Sequence, residues 1–273
     1  MNKQAILLPG VGNARELGGY RIKDQVIRRN VLLRTGTLVQ AAPEAIELLS
    51  STYKLQTVVD FRMSSEQRIV KDPEIPGAAY VHLPVFEMED MMEGAAPEQL
   101  EFYKKNSGNR MALFEFCYEN QLLDDQLYVQ FLAFEKGKKA YRRFFELLTE
   151  SEEGRAFLWH CADGKDRAGC GAMLLLFALG ADRELVMQDY LLTNEFNAAS
   201  LEGIRAKVAP LGMPEDKLNL LLFMSGGVQP EYMNSAIDFM IREYGSVLQY
   251  LEQELGVGRP MQEELKRRFL VTE

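Results

Sequence analysis

The chain of 273 residues has little of what marks several common protein classes. Its three cysteines, Cys117, Cys161 and Cys170, are too few and too scattered for a disulfide framework, and they lack the CxxC spacing of a zinc site. A reducing compartment is the simpler expectation. Positive charge is in deficit: 31 Lys and Arg face 40 Asp and Glu, a net charge of -9. The general basic field of a nucleic-acid binder is therefore missing, and any bound anion must be held by a local site. No apolar run reaches the ~18 residues of a membrane span. The run before Pro9 is shorter than a signal-peptide core, so a cytoplasmic location is expected. Internal repeats and low-complexity linkers are also lacking.

What is present suits one globular domain over residues 1–273, with 47% hydrophobic and 26% charged residues. "LQTVVDF" (55–61), "AAYVHLPV" (78–85) and "AFLWH" (156–160) are short, apolar and partly β-branched, as buried strands are. "PEAIELLSST" (43–52) and "KAYRRFFELLTE" (139–150) carry helical spacing, and alternation of the two types predicts an α/β sheet covered on both faces. Between Glu87 and Glu101 there are six carboxylates and no Lys or Arg, together with Met88, Met91 and Met92, and helical patterns continue to about Phe134. This stretch, about 87–135, is too long for an ordinary connection. It reads as a helical insertion, either a lid hinged at Gly94 or an insertion helix packed on the surface. The tail from about Asp182 is helical in pattern, broken at "APLGMP" (209–214) and "SGGVQP" (225–230).

The informative loop is "CADGKDR" (161–167), set between the strand ending at His160 and a long apolar helix. Amide N–H groups of a tight loop that opens a helix converge with the positive end of the helix dipole, which makes an anion cradle. Gly164 permits a positive φ or a close backbone approach, and Arg167 in the first helical turn can fork two N–H groups onto phosphate oxygens. A thiol at the base of such a cradle, with Lys165 and Arg167 nearby, is expected to have a lowered pKa, and Cys161 becomes a nucleophile. No GxxxxGK[ST] is present, and His160 precedes Cys161 and so points to the other side of the strand. That makes His160 a hydrogen-bonding support of the loop rather than a ligand, and no metal or other cofactor is expected. His82 reads as a sheet histidine and Cys170 as a core residue.

"HCADGKDRAG" resembles the HCx5R signature of cysteine-dependent phosphatases, and its GKDR core is similar to bacterial atypical tyrosine-protein and phosphoinositide phosphatases. "NARELGGY" (13–20), "LLRTGTL" (32–38), "VVDFR" (58–62) and "EYGSVLQYLEQELGV" (243–257) resemble further elements of the same family. The resemblance implies a phosphatase-type α/β fold, with a mostly parallel central sheet, a helical insertion and a helical C-terminal tail. It also implies a metal-independent reaction through a cysteinyl-phosphate intermediate.

On that resemblance Cys161 attacks phosphorus, while Arg167 and the loop amides, from Ala162 through Asp163, Gly164 and Lys165, hold the phosphoryl oxygens. A carboxylic acid protonates the leaving oxygen, with Asp166 and Asp60 as candidates and an Asp60 ion pair with Arg62 or Arg34 as the structural alternative. Asp163 gives the loop a C-x-D-G-x-D-R pattern similar to myotubularin-type phosphoinositide phosphatases, and Lys165 is expected to meet a second phosphate. Expected partners are therefore a phosphotyrosyl protein or an inositol phospholipid, and not nucleic acid. Ala168 stands where the family usually carries Thr or Ser, which implies a slower second step. A catalytically weak phosphate-binding protein is the alternative; a sulfurtransferase leaves the GKDR and DFR elements without a role.

Overall fold

The computed structural model describes residues 3–91, 96–106 and 109–272. Met92 and the Gly94 hinge lie outside the described residues.

The first strands are β1 (Arg15–Glu16), β2 (Arg21–Ile22), β3 (Gln25–Ile27) and β4 (Leu32–Thr35). Helix α1 (Pro43–Glu47) continues into a π-helical turn, Leu48–Thr52, before β5 (Thr57–Asp60), α2 (Ser64–Ile69) and β6 (Ala79–His82). Then come α3 (Met88–Met91), α4 (Pro97–Asn106), α5 (Arg110–Glu119), α6 (Leu127–Ala133) and α7 (Glu135–Glu150). Strand β7 (Phe157–His160) leads into α8 (Arg167–Leu179). The tail consists of α9 (Arg183–Phe196), α10 (Ala198–Val208), α11 (Glu215–Met224), α12 (Pro230–Tyr244), α13 (Val247–Leu255), α14 (Arg259–Phe269) and the short strand β8 (Leu270–Thr272).

Five strands form the central sheet in the order β1-β4-β7-β5-β6, parallel except for β1. The expected α/β class and the mostly parallel sheet are both present. A second, antiparallel sheet, β2-β3-β8, ties the C-terminus to the first forty residues. Its strands are only two or three residues long, too short to leave an alternating pattern in the sequence.

The pleat divides the interior in two. Leu32, Val59, Phe157 and Trp159 face the larger core, which holds α7, α8, α9, α12 and α13; Leu33, Val58 and Leu158 face the smaller core against α1. Helix α7 shows how sequence dictates that packing: Gly137, Ala140, Tyr141, Phe144, Phe145 and Leu148 recur at helical spacing and are buried together. Helix α8 is buried nearly all round and stops at Gly180, whose φ of 98° only glycine adopts freely. Among the described residues, no helix is long and apolar enough to cross a membrane.

Candidate active site

The chain leaves β7 at the C-terminal edge of the sheet and turns through residues 161–166 into α8. Strand alternation fixes the consequences: Trp159 and Cys161 lie on the large-core face, and His160 lies on the opposite one, as the sequence predicts. Cys161 is 1% exposed.

Every carbonyl in the first half of the loop is tied to the scaffold. The Cys161 carbonyl lies 3.1 Å from His160 Nδ1, and the Ala162 carbonyl accepts from the Thr37 N–H at 2.8 Å. The Asp163 carbonyl accepts from Asn13 Nδ2 at 3.0 Å, and the Gly164 carbonyl accepts from Arg34 Nη2 at 2.8 Å. A trans peptide unit is planar, so pinning each C=O outward turns the following N–H the other way. Four successive amides, from Ala162 to Lys165, are thereby turned into the loop. Gly164 makes this closure possible: its φ is 69°, and a Cβ there would lie 2.3 Å from the Thr35 carbonyl oxygen.

Arg167 is 7% exposed and lies in the first turn of α8, where Tyr141 donates to its carbonyl at 3.0 Å. Its guanidinium is forked by Glu66 on α2, Nη1 at 2.6 Å and Nη2 at 3.2 Å, and sits 5.2 Å from the Phe86 ring. Burial alone would raise the Glu66 carboxyl, but the charge and hydrogen bonds of Arg167, the Met63 N–H and the Arg62 charge together outweigh it, and the net direction is down. A guanidinium carries five N–H groups, so three remain for a phosphate. Glu66 thus aims Arg167 rather than occupying it. We expect Glu66→Ala to lower kcat about tenfold, because a misaimed clamp costs up to about 10²-fold, while inhibition by inorganic phosphate is retained. Unchanged kcat with weakened phosphate inhibition would refute the aiming role.

The expectation of a lowered Cys161 pKa is corrected. Burial pushes the thiol up and outweighs the pull of Arg167 and of the Ala168 N–H, while Asp166 and Asp163 push in the same direction as burial. Arg167 shares its charge with Glu66, which the sequence did not reveal.

Asp60 does lie at the same sheet edge, in register with His160, but the pleat turns it away from the thiol. Arg62 Nε and Nη2 donate to its carboxylate at 3.0 and 2.8 Å, and the Tyr80 hydroxyl also donates to it. Burial alone would raise the Asp60 pKa, but these bonds hold it at about 2. Such a carboxylate holds no proton to donate near neutral pH, so the geometry opposes the general-acid role and favours the ion pair that shapes the edge. Arg62 also donates to Asp72, whose Oδ1 caps the Leu38 N–H at 2.8 Å. His160 completes this far-face cluster, Nε2 lying 3.5 Å from Asp72 Oδ2. Asp60, Asp72 and His160 bring possible metal-ligand atoms within 4.8 Å of one another, but the Arg62 guanidinium already bridges both carboxylates. The cluster is built around a guanidinium, not a cation site. His82 Nε2 donates to the Arg62 carbonyl at 2.8 Å and is the sheet histidine expected.

A profile of the tyrosine phosphatase family matches residues 6–271 of this chain. The chain belongs to the tyrosine phosphatase family. It is 28% identical over 248 residues, 90% of this chain and 82% of the relative, to a Cupriavidus necator protein provisionally named a tyrosine-protein phosphatase. It is also 26% identical over 269 residues, 92% of this chain and 94% of the relative, to the triple specificity protein phosphatase PtpB of Mycobacterium tuberculosis.

In this phosphatase the remaining loop residues part company. Asp166 accepts from α6: the Tyr128 hydroxyl donates to its Oδ1 at 2.5 Å. Lys165 is 2% exposed, and its ammonium donates to the Phe223 and Gly227 carbonyls at 2.7 and 3.1 Å and lies 3.7 Å over the Phe223 ring. It is held by the tail, contrary to the expectation that it is free to meet a second phosphate. Asp163 is half-buried and borders a cavity of about 220 Å³ with Asn13, Thr37 and Gln40. On the other side, Asp166 and Arg167 line an apolar cavity of about 260 Å³ with Phe86, Phe116, Leu127 and Phe131.

Sequence reasoning missed Glu66, Asp72, Tyr128 and Asp189. Asp189 on α9 is buried between two arginines, 3.2 Å from Arg15 Nε and 2.5 Å from Arg34 Nη1. Arg15 and Arg34 are the basic residues of the NARELGG and LLRTG motifs, so a signal for a buried anion was present even though its position was not.

Proposed function

We propose that the chain hydrolyses aryl phosphate monoesters, with phosphotyrosyl protein as the substrate, through a cysteinyl-phosphate intermediate. The observation that carries this reading is the loop whose four outward-tied carbonyls turn successive amides toward a buried thiol, with Arg167 aimed by Glu66.

One proton suffices for the cycle. The Cys161 thiol passes it to the neighbouring Asp166 carboxylate; sulfur then attacks phosphorus as Asp166 returns the proton to the leaving oxygen. The P–S bond forms, the P–O bond breaks, and the amides and Arg167 hold the equatorial oxygens. In the second step Asp166 takes a proton from water as its oxygen displaces sulfur, and that proton finally returns to Cys161. The buried thiol, held neutral at rest, fits a nucleophile activated by its neighbour rather than a standing thiolate. Ala168 offers no hydroxyl to the departing sulfur, so the second step depends on Asp166.

The apolar cavity beside Asp166 and Arg167 supports an aromatic leaving group, since it can bury a ring next to the reacting oxygen. Its walls come largely from residues 86–131, so the insertion serves as a cover for the leaving group within one phosphatase domain. Lys165, tied back by two carbonyls, does not support a second phosphate. In EDTA, a phosphotyrosyl peptide is therefore expected to give a higher kcat/KM than a short-chain phosphoinositide. The reverse order would overturn the substrate assignment, and vanadate binding without turnover on either would favour the phosphate-binding protein.

A further inference from the structure

We propose that Tyr128 and Tyr190 form a reversible hydroxyl chain that gives Asp166 a hydrogen-bond partner in both its ionised and its protonated state. The inference rests on the reading of Asp166 as the proton-transferring group.

The chain runs from Asp166 Oδ1 to the Tyr128 hydroxyl at 2.5 Å, on to the Tyr190 hydroxyl at 3.1 Å, and ends at the Gln229 carbonyl at 3.2 Å. Tyr128 and Tyr190 are 0% and 1% exposed, with ring centroids 5.9 Å apart and planes at 82°. Burial pushes both phenols far up, so each keeps its proton while catalysis runs. A hydroxyl is one donor and also an acceptor, and its hydrogen rotates to suit.

Two arrangements keep Asp166 hydrogen-bonded. When Asp166 is ionised, Tyr190 donates to Tyr128 and Tyr128 donates to the carboxylate. When Asp166 is protonated, its O–H donates to Tyr128, Tyr128 donates to Tyr190, and Tyr190 donates to the Gln229 carbonyl. The terminal carbonyl is what makes the second arrangement possible, because it can only accept. A residue that must be an acid in one step and a base in the next thereby keeps one position through both. No atom of the two hydroxyls is transferred: their two hydrogens only reorient, while the proton of Asp166 is exchanged with the reacting groups.

The other groups facing Asp166 are Lys165, 3.4 Å away, with Arg167, Cys161, Cys170 and Tyr232. None of the variants below changes them. With Phe at 190, Tyr128 can donate only to Asp166, which favours the ionised form. Tyr190→Phe should therefore move the alkaline limb of the kcat profile down by about half a unit to one unit, the scale of one hydrogen bond. Tyr128→Phe should lower kcat/KM about tenfold for phenyl phosphate, whose leaving group needs a proton, and much less for p-nitrophenyl phosphate. A merely structural role would lower both substrates alike and leave the limb in place.

The decisive experiment measures both substrates across pH for native protein, Tyr128→Phe, Tyr190→Phe and Asp166→Asn. If Asp166→Asn discriminates between the substrates while both tyrosine variants match native protein, the hydroxyl chain is overturned and the acid assignment stands. If Asp166→Asn lowers both substrates equally, the acid assignment itself fails. The expected result is discrimination in Asp166→Asn and Tyr128→Phe, together with the downward limb in Tyr190→Phe.

Discussion

Cys161→Ser is expected to lower turnover of p-nitrophenyl phosphate by about four orders of magnitude or more, while vanadate and phosphate still bind. The two halves of that expectation come from different atoms. Turnover needs a nucleophile that can lose its proton to Asp166, and a buried serine hydroxyl, far less acidic than a thiol, cannot do so. Binding needs the loop amides and Arg167, which are positioned by His160, Thr37, Asn13, Arg34 and Glu66, and none of these bonds involves sulfur. Initial rates and competitive binding of vanadate, measured on one preparation, separate the two. Retained turnover would exclude a covalent thiol route; loss of binding together with turnover would mean that the loop had collapsed, and the thermal melt would show it.

The strand-loop-helix unit was legible because its determinants are local. The apolar run ending at His160, the glycine at 164 and the apolar continuation into α8 lie within twenty-five residues, and the pleat rule alone puts Cys161 and His160 on opposite faces. Strands observed at Thr57–Asp60, Ala79–His82 and Phe157–His160 fall inside the segments read from composition. The helix read over 139–150 begins earlier, at Glu135, because the buried Gly137 carries the same stripe one turn back among charged residues. What stayed hidden is long-range. Nothing near Asp166 in the chain points to Tyr128, 38 residues away, or near Arg167 to Glu66, 101 residues away. The two ionisations depend on the same kind of long-range packing. The loop neighbours of Cys161 point to a lowered pKa, while its burial comes from the helices packed over it; the sheet edge leaves Asp60 open between a general acid and an ion pair with Arg62 or Arg34, and Arg62, Tyr80 and the pleat favour the pair. The charges of α14, by contrast, are paired locally: Lys266, Arg267 and Arg268 pair with Glu263 and Glu264.

Asp189→Ala is expected to cost about 3–5 kcal/mol of stability, a fall in Tm on the order of 10 °C, because it leaves two buried arginines without an anion. Arg15 is fully buried, Arg34 likewise, and one carboxylate serves both, with the Tyr20 hydroxyl donating to it at 3.2 Å. Burial and the neighbouring Arg34 charge already push Arg15 down to about 10. Without Asp189 that repulsion has nothing to offset it. The same loss reaches the active site, since Arg34 carries the Gly164 carbonyl with its other nitrogen, so kcat should fall even well below the melting temperature. The pH dependence gives the sign. Burial alone would raise Asp189, but Arg15 and Arg34 hold it below its ordinary value, so its folded pKa lies under its unfolded one, ~3.9. Its contribution is therefore complete above about pH 4 and vanishes as pH falls through the folded value. Asp60, held at about 2, titrates in the same acid range but is present in native and variant proteins alike, and cancels in their difference. Melting temperatures of native protein and Asp189→Asn, which keeps the shape and loses the charge, should thus lie far apart at pH 7 and converge as pH drops below about 4. A gap that does not narrow would mean that hydrogen-bond geometry, not the carboxylate charge, holds the two arginines under the loop.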